Sequence, residues 1–260
     1  METNYKESYT RDCFFAALDI MGFKAVVDGK STQEIYQLFA SIVDEINTYL
    51  NVNETGIAVK AKIFSDSIFL VTEDGSDKSY SSIVIAAAHF QNLLFEQGYA
   101  VNGAISFGEV TYDLENDILF GKAVNDAHLL QEQLFFYGIV LHETAEVQQK
   151  KIWKGKIPSY YYDYPDLIID EKIFVKNKDD KSQSESKTMF FVNCCEKLVP
   201  LAAFADQKEA FKQLLSKYYY SNKSCGDRVI QYIRNTETVY KNWFDFTNSS
   251  VADWGERIIP

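Results

Sequence analysis

The sequence predicts an α+β fold, in which a mostly antiparallel sheet carries helices on one face. Two observations support this class. Apolar residues recur at helical spacing within Gln33–Leu50 and Ser81–Gln97, whereas Tyr99–Tyr112 alternates as a strand does. The two kinds of segment also interleave along the chain instead of forming separate blocks. With 260 residues, of which 47% are hydrophobic, the chain can build one large domain, or one domain with an extension.

The first half of the chain predicts the order βα-ββ-αββ-αβ. The predicted elements are a strand at 13–19, a helix at 33–50, a hairpin of 57–64 and 67–71 with Ser65-Asp66 at its bend, a helix at 81–97, strands at 99–112 and 118–120, a helix at 125–134 and a strand at 137–141. Asn51–Gly56 is interpreted as a turn, and Gly98 as the stop signal of the second helix.

The second half of the chain has a different pattern of predicted elements. Two strands, Leu167–Val175 and Lys187–Cys195, flank a charged loop, and two helices are predicted at Ala202–Tyr220 and Asp227–Phe246. We therefore divide the chain into a core at 1–146 and a C-terminal extension at 147–260. The extension is expected to pack on the sheet of the core as a β-hairpin with helices.

Charge and composition exclude several classes of function. The net charge is −11, and the only arginines are Arg11, Arg228, Arg234 and Arg257. Binding to nucleic acid or to an anionic membrane needs a basic patch, so neither partner is expected. The sequence contains no apolar run of about 18 residues and no secretory signal, which predicts a cytoplasmic protein.

Neither the cysteines nor the histidines form a metal-binding pattern. The four cysteines show no CxxC spacing, which favours reduced thiols over a zinc site. His89, His128 and His142 are scattered, without HxxxH spacing, and we interpret them as surface or core residues.

Two aspartates interrupt apolar, strand-like segments that are remote in sequence. Asp19 ends the first strand, and Asp66 lies between two apolar runs of the predicted hairpin. An ionised carboxylate among core strands is costly unless it is paired or binds a metal. We therefore predict that the two strands are neighbours, and that Asp19 and Asp66 share one or two Mg²⁺ or Mn²⁺ ions. The alternative is that each aspartate is an ordinary turn residue or helix cap.

Four motifs occur in a fixed order around these aspartates. They are Phe15-x-x-x-Asp19-Ile20-x-Gly22-Phe23, Lys62-x-x-x-Asp66, Gly103-Ala104-Ile105-Ser106-x-Gly108-Glu109 and Gly121-x-x-x-Asn125. In this order the motifs resemble the class III nucleotidyl cyclase catalytic domain, with its ferredoxin-like core, over residues 13–145. Within that superfamily, the chain most resembles the stand-alone bacterial pyrimidine cyclases of the Pycsar antiphage systems. The segment Phe64-Ser65-Asp66-Ser67, where commoner cyclases have Gly-Asp, is one of the similarities.

The resemblance implies a role for each motif. Asp19 and Asp66, with the carbonyl of Ile20, would hold two divalent ions, Mn²⁺ or Mg²⁺, that act on the 3′-hydroxyl and the triphosphate. Backbone N–H groups of Met21, Gly22 and Phe23 would bind phosphate. Gly22 would allow close approach, although it could equally be a simple turn glycine.

Base recognition is implied at Lys62 and at Ile118. Relatives that read adenine carry a polar residue at the second position, and an apolar side chain cannot pair with a purine edge. Ile118 therefore argues against a purine substrate, whereas an offset of one residue would place Asp117 there and reverse the argument. A strand-edge lysine facing water is the alternative for Lys62.

The chain departs from the family at two positions where arginine is expected. Asn125 matches the family's Asn-x-x-x-Arg motif, but the arginine position is Leu129, and a second arginine position is Asn102. The missing cation stabilises the phosphoryl transition state in the family. Four residues are candidates to replace it, namely Lys24, Lys122, Arg228 and Arg234.

The implied function is a phosphorus-oxygen lyase, a uridylate or cytidylate cyclase whose cyclic product signals phage infection. The active site would lie between two subunits of a homodimer, with Asp19 and Asp66 from one chain and Asn125 and the base contacts from the other. A purine cyclase acting on ATP or GTP, and a degenerate homologue that binds without turnover, remain as alternatives.

Overall fold

The computed structural model describes residues 9–52, 59–113, 116, 118–154, 167–177, 184–194, 213 and 227–249. Its strands are β1 (Tyr9–Ile20), β2 (Lys60–Phe64), β3 (Ser67–Val71), β4 (Val101–Asp113), β5 (Ile118–Phe120), β6 (Ile139–Leu141), β7 (Ile168–Lys176) and β8 (Ser184–Val192). Its helices are α1 (Phe23–Gly29), α2 (Thr32–Val52), α3 (Asp77–Glu96), α4 (Lys122–Gln133), α5 (Glu143–Trp153) and α6 (Asp227–Ser249).

One eight-stranded sheet runs through the described chain. Its strand order is β2-β3-β1-β4-β6-β8-β7, and β5 pairs with the far end of β4. Every pair of strands is antiparallel except β4 with β6, so the prediction of a mixed fold with a mostly antiparallel sheet is confirmed. The two central strands β1 and β4 pair over twelve positions, from Tyr9↔Tyr112 to Ile20↔Val101.

Three of the larger helices cover one face of this sheet. Phe14, Leu18 and Ile105 point to this face and belong to a buried cluster that is built mainly on α3. α3 is buried along most of its length, because α2 and α5 pack on it from outside. Ser76 caps α3 by accepting a hydrogen bond from the backbone of Ser79, which is why the helix begins earlier than its apolar spacing predicts.

The opposite face carries α4 and α6, whereas the sequence led us to expect helices on one face. α4 packs its buried Ala123 and Ala127 against Cys13 and Phe15 of β1. The physical reason lies in β1, where Cys13–Leu18 are all buried. A strand that is apolar on both sides needs a covering layer on both sides.

The predicted elements are otherwise found with shifted boundaries, and two short helices were missed. α1 and α5 lie where the sequence predicted no element. The predicted turn at Asn51–Gly56 is helical at its first two residues, and the rest lies outside the described residues. Of the predicted helix Ala202–Tyr220 only Gln213 is described, and it is helical. None of the described helices is long and apolar enough to cross a membrane.

The C-terminal hairpin continues the sheet of the core. β8 pairs with β6, and β7 pairs with β8 over nine positions. α6 covers the same face as α4, where Tyr232 and Tyr240 contact Phe135, Tyr137 and Phe191. The division of the chain at 146 remains a prediction, although strands from both sides of it share one sheet.

Candidate active site

Asp19 lies at the end of the central strand β1. It is opposite Ser67 of β3 on one side and Asn102 of β4 on the other. Its neighbours Leu18 and Ile20 are buried, whereas Asp19 is half-buried and faces the side of the sheet that carries α4. A carboxylate therefore lies at the end of one of the two central strands of the sheet.

Asp66 occupies the two-residue turn between β2 and β3. The turn closes between Phe64 and Ser67, and Ser65 has a φ of 57°, in the left-handed region. The backbone carbonyl of Asp66 accepts a hydrogen bond of 2.8 Å from the N–H of Ile20. This bond joins the hairpin bend to the residue after Asp19, so the prediction that the two acidic strands are neighbours is confirmed.

The proximity of the two acids changes the protonation of Asp19. Burial and, after it, the negative charge of Asp66 raise the pKa of Asp19 from 3.8 to about 6, against the opposing effects of His128 and Lys176. A like-charged pair with a raised pKa is an arrangement that a divalent cation would neutralise.

Other polar side chains gather on the same side of Asp19. Gln131 of α4 donates a hydrogen bond of 2.8 Å to the side-chain oxygen of Asn102, which is Asp19's neighbour on β4. His128 lies one turn earlier on α4 and contacts Glu132 at 3.5 Å. The last turns of α4 therefore border the acidic end of β1.

The predicted phosphate-binding segment follows Asp19 directly. Met21 donates its N–H to the carbonyl of Ala100 at 2.9 Å, so this N–H is already used within the fold. Gly22 has a φ of 77° and precedes α1. A Cβ added there would meet no atom within 4 Å, so the backbone angle, not crowding within the chain, explains the glycine. Phe23 begins α1 and its ring packs 5.8 Å from that of Phe39.

The two predicted base-recognition residues lie on short strands. Lys62 is half-buried in β2, opposite Phe69 of β3. Ile118 is 46% exposed in β5, opposite Asp113 of β4. The alternative residue, Asp117, lies outside the described residues.

Asn125 and Leu129 are both exposed on α4. Asn125 is in the first turn, where its N–H donates to the carbonyl of Gly121, and Leu129 is 56% exposed. Asn125 is thus nearer the opposite end of α4 from Gln131, which contacts Asn102. The structure places Asp19 and Asp66 together, and Asn125 in the exposed first turn of α4.

The donor groups suit a site that is completed by a ligand. Among the described residues, no three His, Cys, Asp or Glu side chains form a cluster that could hold a metal ion. Two carboxylates alone are nevertheless enough for Mg²⁺ or Mn²⁺ when phosphate oxygens and water supply the other ligands. Asp19, with its raised pKa beside Asp66, fits such a shared site.

Sequence reasoning missed the groups from α4 and the extension that surround Asp19. The sequence gives His128 only the pattern of a surface or core residue, and no motif in it singles out Gln131 or Lys176. No spacing in the sequence relates β7 to β1, because Lys176 comes near the end of α4 only when the C-terminal hairpin extends the sheet.

Comparison with known proteins gives matches only in backbone structure. No protein-family profile matches the chain. No curated protein matches its sequence. Three similar solved structures are the catalytic core of a rhodopsin-guanylyl cyclase with converted specificity in complex with ATPαS, the adenylyl cyclase CyaB from P. aeruginosa, and the guanylate cyclase domain of RhGC from Catenaria anguillulae in complex with GTP.

All three are 16% identical and cover 72% of this chain. The matched regions span 98%, 96% and 98% of the chains of these three structures, and the TM-scores are 0.48, 0.43 and 0.46 respectively.

Proposed function

We propose that the chain is a nucleotidyl cyclase that converts a pyrimidine nucleoside triphosphate to its 3′,5′-cyclic monophosphate and pyrophosphate. UTP is the favoured substrate and CTP the next. The observation that carries the proposal is the convergence of Asp19 and Asp66, held by the 2.8 Å bond between Ile20 and Asp66. The order of the motifs along the chain supports the reaction class.

The reaction needs an in-line displacement at the α-phosphorus. The 3′-oxygen forms a bond to this phosphorus, the bond to the pyrophosphate oxygen breaks, and the proton of the 3′-hydroxyl is released. Two divalent ions, Mn²⁺ or Mg²⁺, would supply Lewis acidity and neutralise charge at this centre. Asp19, Asp66 and the carbonyl of Ile20 would hold them.

The chain's own groups would fix the substrate. Gly22 and Phe23 open α1, and the first N–H groups of a helix lack intrahelical partners, so they can donate to phosphate. The N–H of Met21 already donates to the carbonyl of Ala100, so Met21 would contribute by fixing the backbone that leads into Gly22 and Phe23. Asn125 would orient the ribose or the phosphates from the second subunit.

Ile118 supports the pyrimidine preference. A half-exposed isoleucine offers no hydrogen bond to a purine edge, and Lys62 could donate to a pyrimidine carbonyl oxygen. The cyclic product would serve as a second messenger in bacterial antiphage defence. This role depends on the resemblance to the Pycsar cyclases.

A homodimer would complete the active site. Large apolar side chains are exposed beside the residues that we assign to the site: Phe64 is 75% exposed next to the Asp66 turn, and Leu129 is exposed on α4 beyond Asn125. Exposed apolar residues of this kind are typical of contact surfaces. Their position favours association through the hairpin and α4.

Product analysis tests the reaction. The purified protein is incubated with Mn²⁺ and each of the four ribonucleoside triphosphates, and the products are identified by mass spectrometry. Cyclic UMP or cyclic CMP supports the proposal, and its loss in Asp66→Ala assigns it to this site. Cyclic AMP or cyclic GMP would instead establish a purine cyclase. Nucleotide binding without any product would indicate a degenerate homologue, which the leucine at position 129 favours.

Mixing two inactive variants tests the shared site. Asp66→Ala and Asn125→Ala are each expected to be inactive, whereas a mixed dimer has one site with both residues intact. Random exchange of subunits should therefore restore about a quarter of the wild-type activity. No recovery after verified exchange would place all of these residues in one chain.

A further inference from the structure

Asn102 is a buried polar residue near the start of the central strand β4. It is 2% exposed, and Val101 and Ala104 of the same strand are fully buried. Burying an amide costs about 1–3 kcal/mol unless its polar atoms find hydrogen-bond partners. The partners of the Asn102 side chain therefore decide what this residue does.

The oxygen of this amide is held by α4. Ala123 and Ala127 are the buried residues of this helix, and Gln131 follows them at the same four-residue spacing, which places it on the same face. Gln131 donates its side-chain N–H to the Oδ1 atom of Asn102 at 2.8 Å. Because this bond fixes the orientation of the amide, the nitrogen of Asn102 lies on the side away from Gln131.

The side chains of Asn102 and Asp19 are direct neighbours. The two residues are opposite each other in the β1–β4 ladder, so their side chains share one face of the sheet, with Cβ atoms about 5 Å apart. Within the described part of the chain, Gln131 is the only side-chain partner of Asn102. The causes that shift the pKa of Asp19 are burial and neighbouring charges, with no hydrogen bond among them. A donor that needs an acceptor therefore lies beside an acceptor that needs a donor.

We propose that Asn102 is a positioning residue for Asp19: its amide nitrogen, oriented by Gln131, donates a hydrogen bond to one carboxylate oxygen and leaves the other oxygen for the divalent cation. This inference rests on the proposed function, which makes Asp19 a metal ligand. Rotation about the side-chain bonds of Asp19 closes the contact, because both side chains are short and lie on the same face. Carboxylates that bind metal ions in proteins are usually oriented by a hydrogen bond of this kind.

The competing explanation is that the bond between Gln131 and Asn102 only attaches α4 to the sheet. A buried hydrogen bond contributes about 1 kcal/mol to folding, whether or not a metal ion binds nearby. This explanation predicts a lower stability for variants of either residue. It predicts no change in the affinity for a metal ion.

The experiment compares three variants of the full-length protein. Asn102→Leu removes the donor at similar size, and Gln131→Met removes the bond that orients the donor. Gln133→Met is the matched control, because Gln133 lies on the same helix and donates its side-chain N–H to the carbonyl of Leu129 instead. The readouts are the melting temperature, the Mn²⁺ affinity from the electron paramagnetic resonance signal of free Mn²⁺, and the Mn²⁺ concentration that gives half-maximal activity.

We expect Asn102→Leu to weaken Mn²⁺ binding by about tenfold to a hundredfold, as for other residues that orient metal ligands. Gln131→Met should weaken it by a smaller factor, because the donor remains but is no longer oriented. Saturating Mn²⁺ should restore most of kcat in Gln131→Met, since the carboxylate of Asp19 is intact. Gln133→Met should match the wild type in every readout.

Two results would overturn the inference. Lower melting temperatures with an unchanged Mn²⁺ affinity in Asn102→Leu and Gln131→Met would favour a purely structural bond. Equal losses of Mn²⁺ affinity in Gln131→Met and Gln133→Met would show that the effect is not specific to Asn102. If Asn102→Leu fails to fold, Gln131→Met decides alone, because Gln131 is only half-buried.

The Mn²⁺ affinity separates this inference from the proposed function. If the wild type forms no cyclic nucleotide but its Mn²⁺ affinity depends on Asn102, the proposed reaction is wrong and the positioning residue stands. If the wild type forms product and Asn102→Leu binds Mn²⁺ and reacts normally, the reaction stands and the inference fails. A wild type that binds no Mn²⁺ overturns the inference as well.

Discussion

Replacing Asp19 by asparagine should stabilise the metal-free protein at neutral pH. Asparagine keeps the size of the side chain but removes the charge that burial and Asp66 disfavour. Because the folded protein holds the Asp19 proton more tightly than the unfolded chain does, the wild type loses stability as the pH rises from 3.8 to about 6. The substitution removes that loss.

The size of the effect follows from the same pKa values. The interval from 3.8 to about 6 corresponds to about 3 kcal/mol at 1.36 kcal/mol per pH unit. Asp19 is only half-buried, and solvent screens part of its repulsion, so we expect a gain of roughly 1–2 kcal/mol above pH 6. Below pH 4 both forms of the protein carry a neutral group, and the gain should vanish.

Urea unfolding at pH values from 4 to 8 measures this gain, in the presence of a chelator. Asp44→Asn, which changes an exposed carboxylate of α2, is the matched control and should show no such pH-dependent gain. Adding Mn²⁺ should reverse the order at pH 8, since the wild type gains binding free energy that the variant cannot. A less stable Asp19→Asn protein at pH 8 without metal, or a pH-independent difference, would refute the reasoning.

Three further predictions concern the fold around the site. Gly22→Ala should cost about 1 kcal/mol, measured by urea unfolding, because alanine is strained at a φ of 77°; an unchanged midpoint would contradict this. Thr236→Val should cost about 1–3 kcal/mol in the same assay, because Thr236 accepts a buried 2.8 Å bond from the N–H of Tyr137, and no loss would show that this N–H finds another partner. A fragment of residues 1–154 should fail to unfold cooperatively in a thermal scan, because it lacks the partners that bury Val140 and Phe135. A sharp transition would show that the core folds without the extension.

The central part of the fold was predictable because its signals are local. The apolar spacing of α3 and the two runs that flank Ser65-Asp66 each fix an element without reference to distant residues. The convergence of Asp19 and Asp66 was also predictable, since a carboxylate that interrupts an apolar strand needs a partner. For these features, the sequence itself shows which arrangements would cost folding free energy.

The missed helices lack such signals. α1 has only seven residues, and α5 is preceded by His142, whose ring nitrogen accepts a bond from the backbone of Thr144 in place of a usual Ser, Thr or Asp cap. The position of α4 was predictable in principle. The continuous buried run Cys13–Leu18 is typical of a strand covered on both faces, whereas the order of the elements alone led to the wrong expectation of helices on one face.

The surroundings of Asp19 depend on tertiary contacts that no local pattern encodes. Lys176 is 157 positions from Asp19 in the sequence, and it reaches the site only because β8 joins β6 and β7 follows β8. The hydrogen bonds of Tyr232 and Lys176 to carbonyls near the end of α4 link the extension to the same helix. A lysine at a strand end is otherwise an ordinary surface residue.

The acid pair and the extension together explain why an unfavourable charge persists in a central strand. Backbone hydrogen bonds hold Asp19 near Asp66. The two carboxylates therefore cannot relieve their charge repulsion by moving apart. Lys176 and His128 offset only part of the effects of burial and of Asp66, because the pKa of Asp19 stays raised at about 6. A divalent cation bound between the two carboxylates would neutralise the remaining unfavourable charge. Substitutions that stabilise the metal-free protein at this position should for that reason weaken the site.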